Sequence, residues 1–403
     1  MSKNNGSNKT ITVIGGGPSG MAAAISAARQ GKGTVRLIEK NAVLGRKLLA
    51  TGNGRCNLTN GNSPGAKEIL GFFEGLGLLM REEAEGRVYP YPEQAVSVQE
   101  ALISELSHLE VEILCGLEVK AIEKADTGFQ IVTDKNSFFS DAVILATGGK
   151  AGPQYGSTGD GYRFARALGH SVVRIMPSLV QMVSDEPFFK AIKGVRAKGR
   201  AELLREDRTV DGEAGEIQFT EDGLSGICIF NLSKEYVQGD IIKLDLFPEY
   251  SEEALETVLT DRTKRLGDRS MTEFFGGMLQ KKLIPVILDL LGLEESRTAS
   301  RLVREDIAKA VRLLKGWRIS ITGTKGWREA QVTAGGVDLA EIDGNTMESR
   351  LLPNLYFAGE VLDVDEKCGG FNLQWAWHSG LAAGRAAAEA HELAATAGSR
   401  AER

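Results

Sequence analysis

Apolar residues fall in short blocks punctuated by glycine, and the blocks change period along the chain. Residues 10–14 form an apolar run of strand type, 19–30 a stretch of small residues of helical type, and 34–39 a second strand run, which together predict a βαβ unit. The uncharged stretch 11–28 is long enough for a membrane span. Gly15, Gly16, Gly17 and Pro18 interrupt it, however, and strand, turn and helix account for it better. A strand pair is predicted over 110–122 and 129–133, then an apolar run over 141–146 that ends at Thr147-Gly148-Gly149. Strand-type sequence continues over about 176–246. Ser251, followed by Glu252 and Glu253, predicts a helix start, and three helical stretches run to about Leu314. Strands and glycine doublets then return before a last helix over about 372–395.

This order predicts an α/β fold. A discontinuous Rossmann-like nucleotide-binding domain, residues 10–175 and 321–396, flanks an insertion with a β part over 176–250 and a helical part over 251–320.

The 403 residues, 42% hydrophobic and 25% charged, suffice for the cores of two or three domains. The 48 glycines are roughly one residue in eight against an average nearer 7%, without a collagen-like period, so many tight turns or close approaches to a ligand are implied. A net charge of −6 and a pI near 5.6 argue against a nucleic-acid partner, which concentrated lysine and arginine would grip, and favour a small molecule. Cys56, Cys115, Cys228 and Cys368 lie far apart with neither CxxC nor metal-ligand spacing. That predicts no disulfide framework, no metal site and a reducing compartment. Residues 1–9 are polar and lack the apolar core of a signal peptide, so a cytoplasmic chain without membrane association is expected, its oligomeric state unassigned.

Gly15-x-Gly17-x-x-Gly20 falls between the first strand and helix, where missing side chains permit a tight turn and close approach of a pyrophosphate. Pro18 and Ser19 then open a helix whose N-terminus faces the phosphates. Glu39 closes the second strand nineteen residues after Gly20, with Lys40 beside it, at the place where a carboxylate receives both hydroxyls of an adenosine ribose. A carboxylate there repels a 2′-phosphate, which leaves FAD or NAD. Two further strand ends favour the longer FAD: Ala146-Thr147-Gly148, and Leu355 to Glu360 with Gly359 before the carboxylate. Glu360 suits the ribityl and pyrophosphate region.

Four segments resemble the HI0933-like flavoproteins, themselves similar to the two-dinucleotide-binding-domain flavoprotein superfamily. They are Gly45 to Asn60, Phe219-Thr220 with Gly223-Leu224-Ser225-Gly226, Thr333-Ala334-Gly335-Gly336-Val337, and Gly359 to Gly380. The resemblance implies an insertion made of a β-barrel plus a small helical bundle. It places Arg46, Lys47, Asn53 and Gly54 beside the FAD, the main chain of Val119 at the adenine, and Gly370, Phe371 and Asn372 by the flavin ring. A glycine doublet before a helix start offers backbone N–H groups to the negative charge of a reduced flavin.

Thr158-Gly159-Asp160-Gly161-Tyr162 and the Thr333 to Gly336 turn are also similar to segments of the succinate dehydrogenase and fumarate reductase flavoproteins, which leans toward chemistry at a carbon–carbon double bond. No histidine precedes that turn and none can be placed to attach FAD, so non-covalent FAD is expected. The chain departs from the HI0933-like pattern at Glu366-Lys367 and at His378, both on the expected substrate side.

Candidates for chemistry are few. Cys56 and Cys368 both fall in segments expected to border the flavin, with small packing residues as the plainer reading. His378 lies about one turn past the expected flavin-side helix start and is a candidate proton donor. Arg196, Lys198 and Arg200 share one face of a predicted strand and are suited to an acidic substrate or to nicotinamide phosphates, or else to solvent. Trp375 and Trp377 point to different sides of the last helix. No second glycine fingerprint follows a strand in mid-chain, so NAD(P)H, if it is the donor, binds transiently. The expected activity is FAD-dependent hydride transfer to a small organic substrate, with an activated C=C bond as target. An amine or amino-ketone oxidase and a redox-sensing flavin module are the alternatives.

Overall fold

A computed structural model describes residues 9–401, with side chains through residue 390. Two compact units emerge, one built from the residues up to 177 and those from 331 onward, the other from 178 to 330.

The first unit is organised by five parallel strands: β1 (Thr10–Ile14), β2 (Thr34–Glu39), β3 (Glu112–Cys115), β4 (Ala142–Leu145) and β5 (Leu355–Phe357). Their order is β5-β4-β1-β2-β3, and Val13 lies level with Ile144 on one side and Leu37 on the other. Parallel strands buried on both faces need near-continuous apolar sequence, and all four residues of β4 are buried. Helix α1 (Pro18–Arg29) begins with proline at its first turn, where the missing N–H costs no hydrogen bond. It packs along α3 (Phe371–Ala401) through small residues. A Cβ on Gly380 would lie 2.3 Å from Ser19 O, and one on Gly384 2.2 Å from Ala23 O, so any side chain there would drive the helices apart. A shorter helix, α2 (Asp160–Ala167), follows β4.

One prediction is corrected here. The expected strand over 110–122 is two strands in different sheets: β3 joins the parallel sheet, whereas Val119–Lys124 pairs with Phe129–Thr133 in an antiparallel sheet of three. Gly116 to Glu118 break the run, and apolar content alone carries no mark of that change of sheet.

The second unit has a seven-stranded antiparallel sheet. Its order is Trp317–Ser320, Ile241–Asp245, Arg196–Arg205, Arg208–Phe219, Gly223–Ser225, Met182–Val183, Gly323–Thr324. Helices Glu252–Arg265, Met271–Phe275, Leu283–Leu291 and Arg304–Lys315 lie between its strands in sequence. Phe219 stacks on Trp317 with ring centroids 5.7 Å apart, inside the unit's own core. The β and helical parts are therefore interleaved rather than consecutive, because Trp317–Ser320 returns to pair with Ile241–Asp245. Gly323–Thr324 pairs with Met182–Val183, which carries the unit on to residue 330 and moves the anticipated return at 321 to 331.

Candidate active site

The glycine turn is shaped by contacts a side chain would destroy. Gly15 has φ +108°, and a Cβ on it would meet Ala146 O at 2.4 Å. Its N–H donates to Ile38 O at 2.8 Å, tying the turn to β2. Gly20 serves packing rather than lining, since its Cβ position is 1.8 Å from Gly15 O. Gly17 is different: among the described residues no atom lies within 4 Å of its Cβ position. It faces open space at the start of α1, where the first-turn N–H groups lack intrahelical partners.

That space is a cavity of about 1250 Å³, partly open to solvent, within the first unit. At one end stand Glu39, Leu117 and Val119; the glycine turn and Thr147-Gly148 form the middle; Glu360, Val364, Asn372 and Trp375 line the other end. An extended dinucleotide fits this outline.

Of the residues singled out from sequence, Gly15, Gly17, Pro18, Ser19, Glu39, Lys40, Arg46, Lys47, Val119, Thr147, Gly148, Glu360 and Asn372 line this one cavity. Gly20, Asn53, Gly54, Gly359, Gly370 and Phe371 do not. Gly359 packs on Ser19, whose Oγ is 2.4 Å from its Cβ position. Gly370, at φ +101°, presses on the Thr59 main chain, 2.5 Å from its Cβ position. Asn53 and Gly54 are exposed.

Glu39 is buried, and its oxygens are already engaged. Oε2 accepts from the Gly16 N–H at 2.7 Å, while Oε1 accepts from the Asn41 N–H at 2.7 Å and from Asn41 Nδ2 at 2.6 Å. A carboxylate has about four lone-pair sites. With Asn41 in place, room remains on Oε2 for one ribose hydroxyl rather than the two anticipated.

The cations of the cavity are also held. Lys47 Nζ pairs with Glu360 Oε2 at 2.8 Å, and Glu360 Oε1 accepts the Thr333 N–H at 2.9 Å. Lys40 Nζ reaches Asp160 Oδ2 at 2.5 Å, and Arg46 donates to Asn41 Oδ1 and Gln154 O. Burial opposes the Asp160 charge, but hydrogen bonds from Lys40 and Thr158 outweigh it and hold the carboxyl below its usual range.

The three candidates for chemistry lie elsewhere. His378 is half exposed, its Nδ1 3.3 Å from Glu68 Oε2, because its place on α3 turns it away from the cavity. Arg200 belongs to the second unit, where Nε is 3.2 Å from Glu202, and its neighbour Arg196 pairs with Glu216, so this face is charge-matched. Cys56 is fully buried, and burial pushes its thiol up to about 12, which removes the thiolate needed for nucleophilic or redox work at neutral pH.

Sequence reasoning passed over Asn41 and Gln331 as lining residues, placed Trp375 no more specifically than its helix face, and gave Thr333 no individual role. The Trp375 indole donates to Gly359 O at 3.3 Å, which fixes the ring at the cavity wall. Among the described residues no cluster of His, Cys, Asp or Glu suits a metal ion, and no helix is long and apolar enough to cross a membrane.

Comparison with known proteins identifies the family. The profile of the HI0933-like protein Rossmann domain matches residues 9–67 and 63–386. A 3-dehydro-bile acid delta(4,6)-reductase of Clostridium scindens is 39% identical, over 94% of this chain and 99% of its own length. A ribosomal RNA dihydrouridine synthase of Escherichia coli is 30% identical, over 92% of this chain and 96% of its own length.

Proposed function

This chain belongs to the HI0933-like family of FAD-dependent oxidoreductases built on a Rossmann domain, and from that premise we propose that it reduces an activated C=C bond in a small organic substrate, with NAD(P)H as transient donor. The observation that carries the reading is the single cavity that joins the Glu39 end to the Asn372 end within one unit.

FAD, when bound, supplies a two-electron centre that takes hydride from a donor and delivers it to carbon. The chain's part is to hold and orient it. Gly17, Ser19 and the first turn of α1 receive the pyrophosphate, Glu39 a ribose hydroxyl, and the Val119 region the adenine. Lys47 and Glu360 border the middle, and Asn372 with Trp375 the ring end. Val332, Val364, Leu373 and Ala376 make that end largely apolar, which suits a flat hydrophobic enone and excludes water from the reacting atoms.

Both relatives carry names that denote addition of hydrogen across a ring double bond, which supports the reaction class. Their substrates differ in kind. The net charge of −6 favours the small molecule over a polynucleotide here. Four free cysteines suit a reducing compartment.

Anaerobic stopped-flow spectroscopy tests the reading. The flavin should bleach with NADH or NADPH and recover on addition of a 3-oxo-4-ene steroid. Bleaching by an amine, with peroxide formed on aeration, would replace the reading by an oxidase. A flavin inert to every donor would leave a sensing module, and recovery with a uridine-containing RNA alone would change the substrate class.

A further inference from the structure

Beneath the cavity wall, Thr333 is fully buried on the strand Val332–Ala334, and its hydroxyl is engaged by the neighbouring main chain. Oγ1 accepts the N–H of Lys150 at 2.8 Å and that of Ala151 at 3.0 Å, both in the turn after β4. With both lone pairs used, the hydroxyl keeps only its proton to donate. Nearby on α2, the Tyr162 hydroxyl donates to Glu360 O at 3.3 Å. The backbone N–H of Thr333 donates to Glu360 Oε1, and the other oxygen of that carboxylate holds Lys47. The fit is tight: a Cβ on Gly149 would lie 2.3 Å from Thr333 Oγ1 and 2.7 Å from Glu360 Oε1. Thr333 therefore joins the turn after β4, through its hydroxyl, to Glu360 and Lys47, through its backbone N–H, although it does not itself line the cavity.

We propose that Thr333 is a positioning residue whose hydroxyl locks the turn after β4 to the Glu360–Lys47 pair and so sets the cofactor-facing geometry of that pair. The proposal rests on the flavin reading above. Valine has nearly the shape of threonine but neither accepts nor donates, so Thr333→Val would strand the buried Ala151 N–H and the half-buried Lys150 N–H while preserving volume. Serine keeps the hydroxyl.

Two measurements on the full chain test this. Hydrogen exchange of the flavin-free protein reads the bonds directly: amides 150 and 151 should exchange faster in Thr333→Val and stay protected in Thr333→Ser. Titration of flavin-free protein with FAD reads the consequence, about tenfold weaker binding in Thr333→Val and near-parental binding in Thr333→Ser. In a Glu360→Gln background the Thr333→Val loss should shrink, because residues acting through one another are not additive. Unchanged exchange and affinity, equal impairment by serine, a loss undiminished beside Glu360→Gln, or a valine variant that fails to fold would each overturn the role. A parental chain that takes up no FAD would instead overturn the flavin reading, with the exchange result still judging the hydroxyl bonds.

Discussion

The two ends of the cavity are built by different means. At the Glu39 end most of the work is done within one βαβ unit, through Gly20 on Gly15 and Glu39 accepting the Gly16 N–H, with Gly15 reaching out to Ala146 after β4. At the Asn372 end the walls come from strand ends and loops more than 150 residues apart in sequence, as with Lys47 and Glu360, and buried side chains bridge them. The first design tolerates almost no change of backbone. The second spreads its geometry over side chains that can be altered one at a time.

The largest effect should come from breaking the first design. In Gly15→Val a branched side chain would collide with Ala146 O at a backbone angle that L residues avoid, so we expect a loss of about 3 kcal/mol or more of stability and no FAD uptake. Thermal unfolding and the absorbance of the purified protein check this. A yellow, normally stable variant would mean that the turn can shift and that the two ends are less different than described.

Gly370→Ala strikes the other end. Its methyl would press on the Thr59 main chain at φ +101°, costing about 1–3 kcal/mol. Because this contact positions only the start of α3, FAD should still bind, with a shifted visible band reporting a changed ring environment. Loss of FAD as complete as in Gly15→Val would erase the distinction.

Glu39→Gln is a finer probe of the near end. It keeps the shape but removes the charge that the Gly16 and Asn41 donors share, and we expect FAD to bind about tenfold more weakly with little change in its spectrum. Fluorescence titration measures this, and a spectral change without a loss of affinity would place Glu39 nearer the ring than the outline allows.

The same contrast explains what could be read from sequence. The glycine spacing, the nineteen-residue interval to Glu39 and the apolar strands are local patterns, and they located the parallel sheet and the turn directly. Glu360 was reached from the glycine-ended strand before it, but Lys47, Gly370 and Asn372 only by resemblance, since no periodicity links Lys47 to Glu360 or Thr333 to Lys150. His378 illustrates the limit. Its position on α3 was legible, but its direction depends on Glu68, 310 residues away, which pairs with it outside the cavity. Likewise, nothing in the apolar run over 110–122 announced a change of sheet, and the antiparallel return of Trp317–Ser320 to Ile241–Asp245 follows a helical stretch that looked like the end of the insertion.

The smallest expected effect concerns Cys56, in the loop that leads to Thr59. The sign follows from its burial: the folded thiol is raised to about 12, whereas an unfolded one titrates at its ordinary 9.0. Below pH 9 both states carry the proton, and the thiol contributes nothing to the pH dependence. Between 9 and about 12 the unfolded chain ionises first, so stability falls as pH rises through this window. Cys56→Ala should therefore flatten the alkaline arm of a stability profile relative to the parent, while leaving the neutral region parallel to it. At pH 8 iodoacetamide should label the exposed Cys115 and the half-buried Cys368 before Cys56, which lies at 0% exposure. Fast alkylation of Cys56 in the folded protein would show that the loop opens readily, and the far end of the cavity would then be a moving wall rather than a set of fixed side-chain bridges.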